Sequence, residues 1–191
     1  MALIGTIARI SALLARVERG LLVGLVGAIA GLVLLNVAAR ALGMTLAWAD
    51  ELAIQAMVLA GFVGASLMLR MRNHPAVQIL HEVLPGRGLY LLRVLASALA
   101  LGFGLVLAWL CWRWFDLPGL IRAGFDVALY ESQTFNFLYT EVSPVLGLPM
   151  FLPFLVMPWF ALTLSLHALA NLCEDLGLLP PPGPAETGAA P

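Results

Sequence analysis

The stretch from Leu21 to Ala39, LLVGLVGAIAGLVLLNVAA, runs between Arg19 and Arg40 without a single charge. A bilayer core needs about 20 mostly apolar residues for one helical crossing. A helix on the surface of a soluble domain would instead show a polar face. The stretch therefore reads as a membrane span. It exceeds the 7–15 residues of a signal-peptide apolar core, so it is expected to be retained although Arg9, Arg16 and Arg19 precede it.

Three further stretches have the same character. They run from Leu52 to Leu69 between Glu51 and Arg70, from Val94 to Trp112 between Arg93 and Arg113, and from Leu148 to Leu172 before Glu174 and Asp175. Composition agrees: hydrophobic residues make up 62% of the chain, charged residues 11%, and mean hydropathy is +0.98. A soluble domain carries roughly 25% charged residues to wet its surface. The expected fold is an all-α integral membrane protein with four transmembrane helices and an interfacial amphipathic link between spans two and three.

The flanks of the spans set the domain plan. Residues 1–20 place Ile7, Ile10, Leu14 and Val17 at helical spacing with arginines between them, an amphipathic lead-in on the cytoplasmic side or a plain extension of span one. Residues 21–172 form the four-helix membrane domain. Residues 173–191, rich in Pro, Gly and Ala from Pro180 onward, form a disordered cytoplasmic tail. The Arg70–Arg93 link alternates apolar residues such as Val77, Leu80 and Leu84 with polar ones, as a short interfacial helix does.

Orientation follows from arginine, which is retained on the cytoplasmic side of a membrane. Arg9, Arg16 and Arg19 precede span one, and Arg70, Arg72, Arg87 and Arg93 lie between spans two and three. The opposite links hold Arg40, Arg113 and Arg122. Both termini are thus expected in the cytoplasm, with links 41–51 and 113–147 outside.

Helices associate in lipid where small residues let backbones approach. Gly20, Gly24, Gly27 and Gly31 line one face of span one. Span two repeats the pattern with Ala53, Ala56, Ala60 and Gly64, and span three with Ser97, Ala100, Gly104 and Ala108. The first expectation is that these faces join the chain's own helices; contact with another protein is the alternative. Span four differs, because Pro149, Pro153 and Pro158 remove backbone donors and predict a kink near Pro153 or Pro158.

Several function classes are excluded. A net charge of −1 with no basic tract leaves no footprint for nucleic acid. Cys111 and Cys173 sit in or beside apolar segments, without metal-ligand spacing. No Ser, His and Asp set, metal cluster or phosphate loop assembles, so no enzyme and no cofactor is expected. Within the four stretches His167 is the one ionisable residue, whereas ion paths need intramembrane charges. A haem-binding or redox four-helix subunit is the competing reading, but His167 lacks a second histidine at matching depth, since His74 and His81 lie in a link. A structural role is expected for it.

Span one ends on Asn36-Val37-Ala38-Ala39-Arg40, and span two opens on Trp48-Ala49-Asp50-Glu51. Arg70 to His74 follow span two, Leu84-Pro85 sits in the inner link, and Leu146-Gly147-Leu148-Pro149 leads into span four. In this order, over about residues 20–172, the chain resembles the small membrane subunit (DctQ-like) of tripartite ATP-independent periplasmic (TRAP) transporters. It departs from the family at Gln78, where an acidic residue is frequent, and at Pro75 directly after His74.

The resemblance implies a bacterial inner-membrane protein with two partners, a large multi-span TRAP subunit that translocates the solute and a periplasmic solute-binding protein. It implies ion-coupled uptake of an organic anion, with the small chain as a scaffold or stator. It also directs attention to Arg40, Trp48, Asp50 and Glu51. The carboxylates stand at a helix start, where the dipole favours them, and a charge pair with Arg40 would fix register or meet a partner subunit. Glu51 is the first choice for that pair, Asp50 the second, and Trp48 is expected to anchor at headgroup depth. The outer link mixes Trp114, Phe115, Phe125, Tyr130 and Phe135 with Asp116, Asp126, Glu131 and Glu141, an aromatic belt whose acidic rim is a candidate dock for the binding protein.

Overall fold

A computed structural model describes residues 2–72 and 86–179, with side chains from Gly5 onward. It is helical throughout its long elements: α1 (Ala2–Ala41), α2 (Ala47–Met71), α3 (Gly86–Phe115), the short α4 (Leu117–Arg122), α5 (Val127–Thr134) and α6 (Phe151–Phe154), and α7 (Val156–Asp175). Among the described residues no strand forms; Val142 and Pro149 make one isolated antiparallel bridge. Four segments are long and apolar enough to cross a membrane, Gly5–Ala41, Ala47–Met71, Gly86–Arg122 and Phe151–Asp175.

The long helices overrun the expected spans. At about 1.5 Å per residue α1 is about 60 Å long, twice a hydrocarbon core of about 30 Å. The lead-in is thus continuous with span one as a single helix. Span four continues through Glu174 and Asp175, which the tail was expected to hold. The inner-link helix falls mainly on residues 73–85, and the tail from 180 onward, both outside the described residues. Span four is interrupted at Leu155, between Pro153 and Pro158, where α6 passes into α7.

Helix α7 is the hub. It packs against α3, α2 and α1, while α1 packs most extensively on α2. The inward edge of α1 reads Ser11, Ala15, Glu18, Leu22, Leu25, Ile29, Leu32, Asn36 and Ala39, all buried or half-buried. These positions alternate steps of four and three, the seam that keeps one helix facing another over a long distance. The bundle therefore has a terminal end, where α1 begins and α7 finishes, and a loop end, formed by residues 42–46 and 116–150.

Candidate functional site

The densest chemistry lies at the terminal end, along that seam. His167 of α7 and Glu18 of α1 are both fully buried, with Nε2 3.1 Å from Glu18 Oε2. The other ring nitrogen, Nδ1, is 2.7 Å from Ser11 Oγ, one layer further along α1. Ser66 of α2 donates to Glu18 Oε1 at 2.8 Å and lies 2.9 Å from Thr163 Oγ1 on α7. Three helices thus meet on one carboxylate and one imidazole. A buried polar group is costly unless it is hydrogen-bonded, and each of these side chains has its partners.

One turn further toward the terminal end a second layer follows. Arg70 Nη1 lies 2.7 Å from Glu174 Oε1 and donates to Asn171 Oδ1 at 3.0 Å. Arg72, in a left-handed conformation (φ 54°) just past the end of α2, reaches Asp175 at 2.5 Å and Glu174 at 3.1 Å and donates to the Asn171 carbonyl. Asn171 Nδ2 returns a bond to the Leu69 carbonyl, closing the α2–α7 joint. Ser97 of α3 donates to Asp175 Oδ2 at 2.7 Å, which draws the fourth long helix into the same network.

Most of this network was invisible to a reading that takes charges as span boundaries. Glu18 and Arg70 are buried inside the bundle and the Glu174 side chain is 4% exposed, so His167 is not the sole ionisable group packed between the long helices. The spacing of Thr163, His167, Asn171 and Glu174, four, four and three, places them on one face of α7 and was the available signal. Both ring nitrogens of His167 are engaged, so the imidazole is not presented as an axial haem ligand.

The loop end is built differently. Asp50, not Glu51, is the partner of Arg40: the pair is 3.1 Å apart, with both side chains more than half exposed. Asn36, buried at the end of the α1 seam, also donates to Asp50. Glu51 turns the other way and accepts the amides of Val145 and Leu146 at 2.9 and 3.2 Å, holding the turn that leads into span four. The reason is rotational, since adjacent helical residues point about 100° apart and cannot share a partner across one seam. That turn needs Gly147 at φ +64°, where the Gly147 amide reaches the Ser143 carbonyl and the Ser143 amide the Leu148 carbonyl. Trp48 is exposed.

Between α3 and α6 the loop end forms a compact cap. Asp116 and Asp126 cap α4 and α5 by accepting the amides of Gly119 and Leu129. Tyr139 donates to the Phe115 carbonyl at 2.6 Å. Burial first, then the neighbouring Tyr130 and Asp116, push its phenol up, so it stays protonated as that donor. Asn136 ties the cap down by donating to the Trp114 carbonyl and the Tyr130 hydroxyl.

The small residues divide sharply. A Cβ at Gly104 would meet the backbone nitrogen and Cα of Ser165 at 3.2 and 3.3 Å, so this glycine permits a close α3–α7 approach. Gly64 faces Leu22 at ordinary contact distance, and Ala60 and Ala100 are half-buried. Gly20, Gly24, Gly27 and Gly31 have nothing within 4 Å of where a Cβ would stand. The expectation that this stripe joins the chain's own helices does not hold: it follows each seam residue by two positions, about 200° around the helix, and so looks away from α2 and α7.

Residues 29–178 match the family model described as "Tripartite ATP-independent periplasmic transporters, DctQ component". Comparison with curated proteins and with solved structures returns no match. The match spans the last third of α1, every later long helix and the loop-end cap, and it coincides with four helices of membrane-crossing length. The chain is therefore a multi-pass membrane protein that belongs to the DctQ family, the small membrane component of TRAP transporters.

Proposed function

We propose that this chain is the small permease subunit of a TRAP transporter and serves as a scaffold, or stator, for a large solute-translocating subunit. The solute would be an organic anion delivered by a periplasmic binding protein and moved by ion coupling. The observation that carries this reading is the buried network at the terminal end. Its polar and charged side chains bond to one another across α1, α2 and α7, with α3 tied in through Ser97, and a body cross-linked in that way resists sliding between its own helices. A stator needs that stiffness. A conducting subunit would instead point its charges into a path.

The same reading puts the terminal end in the cytoplasm of a bacterial inner membrane, in line with the arginines. From Asn36 to Glu18, α1 climbs about 27 Å at about 1.5 Å per residue, so the two polar layers would stand near opposite edges of the hydrocarbon. The outward glycine stripe of α1 is then the face offered to the large subunit.

Affinity purification of the tagged chain from native membranes in mild detergent tests this. The expected result is a one-to-one complex with a large multi-span membrane protein, and loss of anion uptake when the chain is deleted. Solute transport by the chain alone in liposomes, or uptake that persists without it, would overturn the scaffold role. Reporter fusions after Asp175 and at Gly43 are expected to report cytoplasm and periplasm respectively.

A further inference from the structure

The loop-end cap carries an open cleft of ≈ 450 Å³ whose walls include Arg113, Trp114, Phe135, Asn136, Glu141 and Phe154. Its two charges are of opposite sign and do not meet. Arg113 lies 5.6 Å from the centre of the Trp109 ring, and neither its guanidinium nor the Glu141 carboxylate has an ion pair or hydrogen bond among the described residues. The walls themselves are fixed. Asn136 is held by its bonds to the Trp114 carbonyl and the Tyr130 hydroxyl, and Trp114 stacks at an angle on Phe154 with ring centres 5.2 Å apart. Phe135, in a left-handed conformation at φ 55°, is 79% exposed at the rim. Such a backbone position is strained for an aromatic residue.

Depth narrows the ligand. Arg113 is the first charge after the apolar run of α3 and stands among Trp109, Trp112 and Trp114. Tryptophan collects at headgroup level, so the cleft opens where phospholipid phosphates lie. Below it, α3 presents exposed Val106, Trp109 and Leu110, a path for an acyl chain. A guanidinium matches a phosphate with two parallel bonds, and a carboxylate accepts the donors of a primary ammonium. We propose that this cleft binds the headgroup of a zwitterionic, ethanolamine-type phospholipid, with the phosphate on Arg113 and the ammonium on Glu141.

The test uses the full chain reconstituted in vesicles of equal parts phosphatidylethanolamine, phosphatidylcholine and phosphatidylglycerol, extracted in mild detergent, with retained lipid measured by native mass spectrometry. Phosphatidylethanolamine is expected at least about fivefold over each of the others, since its ammonium brings both a positive charge and N–H donors to Glu141, whereas choline has no N–H and the glycerol hydroxyls carry no charge. Glu141→Gln should reduce it to the phosphatidylcholine level, and Arg113→Gln should remove both. Arg122→Gln, another exposed arginine at this end, should keep the parental pattern. No ethanolamine enrichment in the parent, a preference for phosphatidylglycerol, or equal losses in Arg122→Gln and Arg113→Gln would overturn the proposal. If Arg113→Gln does not fold, Glu141→Gln decides: an unchanged preference over phosphatidylcholine overturns it.

Discussion

At the terminal end Arg70 and Glu174 meet at 2.7 Å with side chains 2% and 4% exposed, whereas at the loop end Arg40 and Asp50 meet at 3.1 Å with 62% and 53% exposed. The chemistry is the same and the energetics are not. A buried pair gives up hydration that only its partner and neighbours replace, so losing one member strands the other. An exposed pair returns to water on losing its partner. One end of the bundle is therefore held by charges that depend on one another, and the other by a capped and hydrogen-bonded cover in which the ion pair is incidental.

The largest effect should come from breaking the terminal-end layer. Arg70→Ala leaves Glu174 with Arg72 as its one remaining partner of opposite charge and deprives Asn171 of a donor, and is expected to cost about 2–5 kcal/mol. Thermal or denaturant unfolding of the purified chain in detergent measures it. A loss below about 1 kcal/mol would mean that water reaches this layer, and the contrast between the ends would disappear.

Next in size is the layer at Glu18 and His167. Glu18→Gln alters a carboxyl group that accepts from Ser66 and faces the imidazole, and is expected to cost about 1.5–3 kcal/mol. The double change with His167→Gln should cost clearly less than the sum of the single changes, because neither partner is then left alone. Strict additivity would show that the two groups do not act as a pair.

A third measurement probes the middle of the bundle. Gly104→Val forces α3 away from Ser165 and should destabilise the isolated chain by about 1–3 kcal/mol. Gly27→Leu, whose site meets nothing within 4 Å, should leave the isolated chain's stability unchanged while reducing recovery of the large subunit. An effect of Gly27→Leu on the isolated chain would place that glycine inside the bundle after all.

These contrasts also explain what a reader of the sequence can and cannot see. The four helices follow from local apolar runs, which a window of about 20 residues captures. The network does not, because Glu18 lies 149 positions from His167 and Arg70 104 from Glu174, and nothing local links them. In the sequence Arg70 and Glu174 flag the ends of apolar runs, but the helices run past those flags and fold them inward. At the loop end the reverse occurred. Arg40, Asp50 and Glu51 were recognised as a cluster by closeness in sequence, yet closeness did not say which carboxylate shares a face with Arg40.

The smallest expected effect tests that last point. Arg40→Ala breaks a pair that is open to solvent on both sides, so it should cost about 0.2–1 kcal/mol, as exposed pairs do. Asp50 keeps its bond from Asn36, which anchors the carboxylate without the arginine. The coupling between Arg40→Ala and Asp50→Asn should accordingly be small, and that between Arg40→Ala and Glu51→Gln absent, because Glu51 serves the Val145 and Leu146 amides instead. Double-mutant cycles on unfolding measure both. Glu51→Gln should act elsewhere, loosening the 143–148 turn, which proteolysis or hydrogen exchange at Val145 and Leu146 reads directly. Strong coupling of Arg40 to Glu51 would mean that the two helices can exchange carboxylates at this end. If instead the Arg40 changes weaken the complex with the large subunit far more than the isolated chain, the exposed pair is a contact held open for a partner.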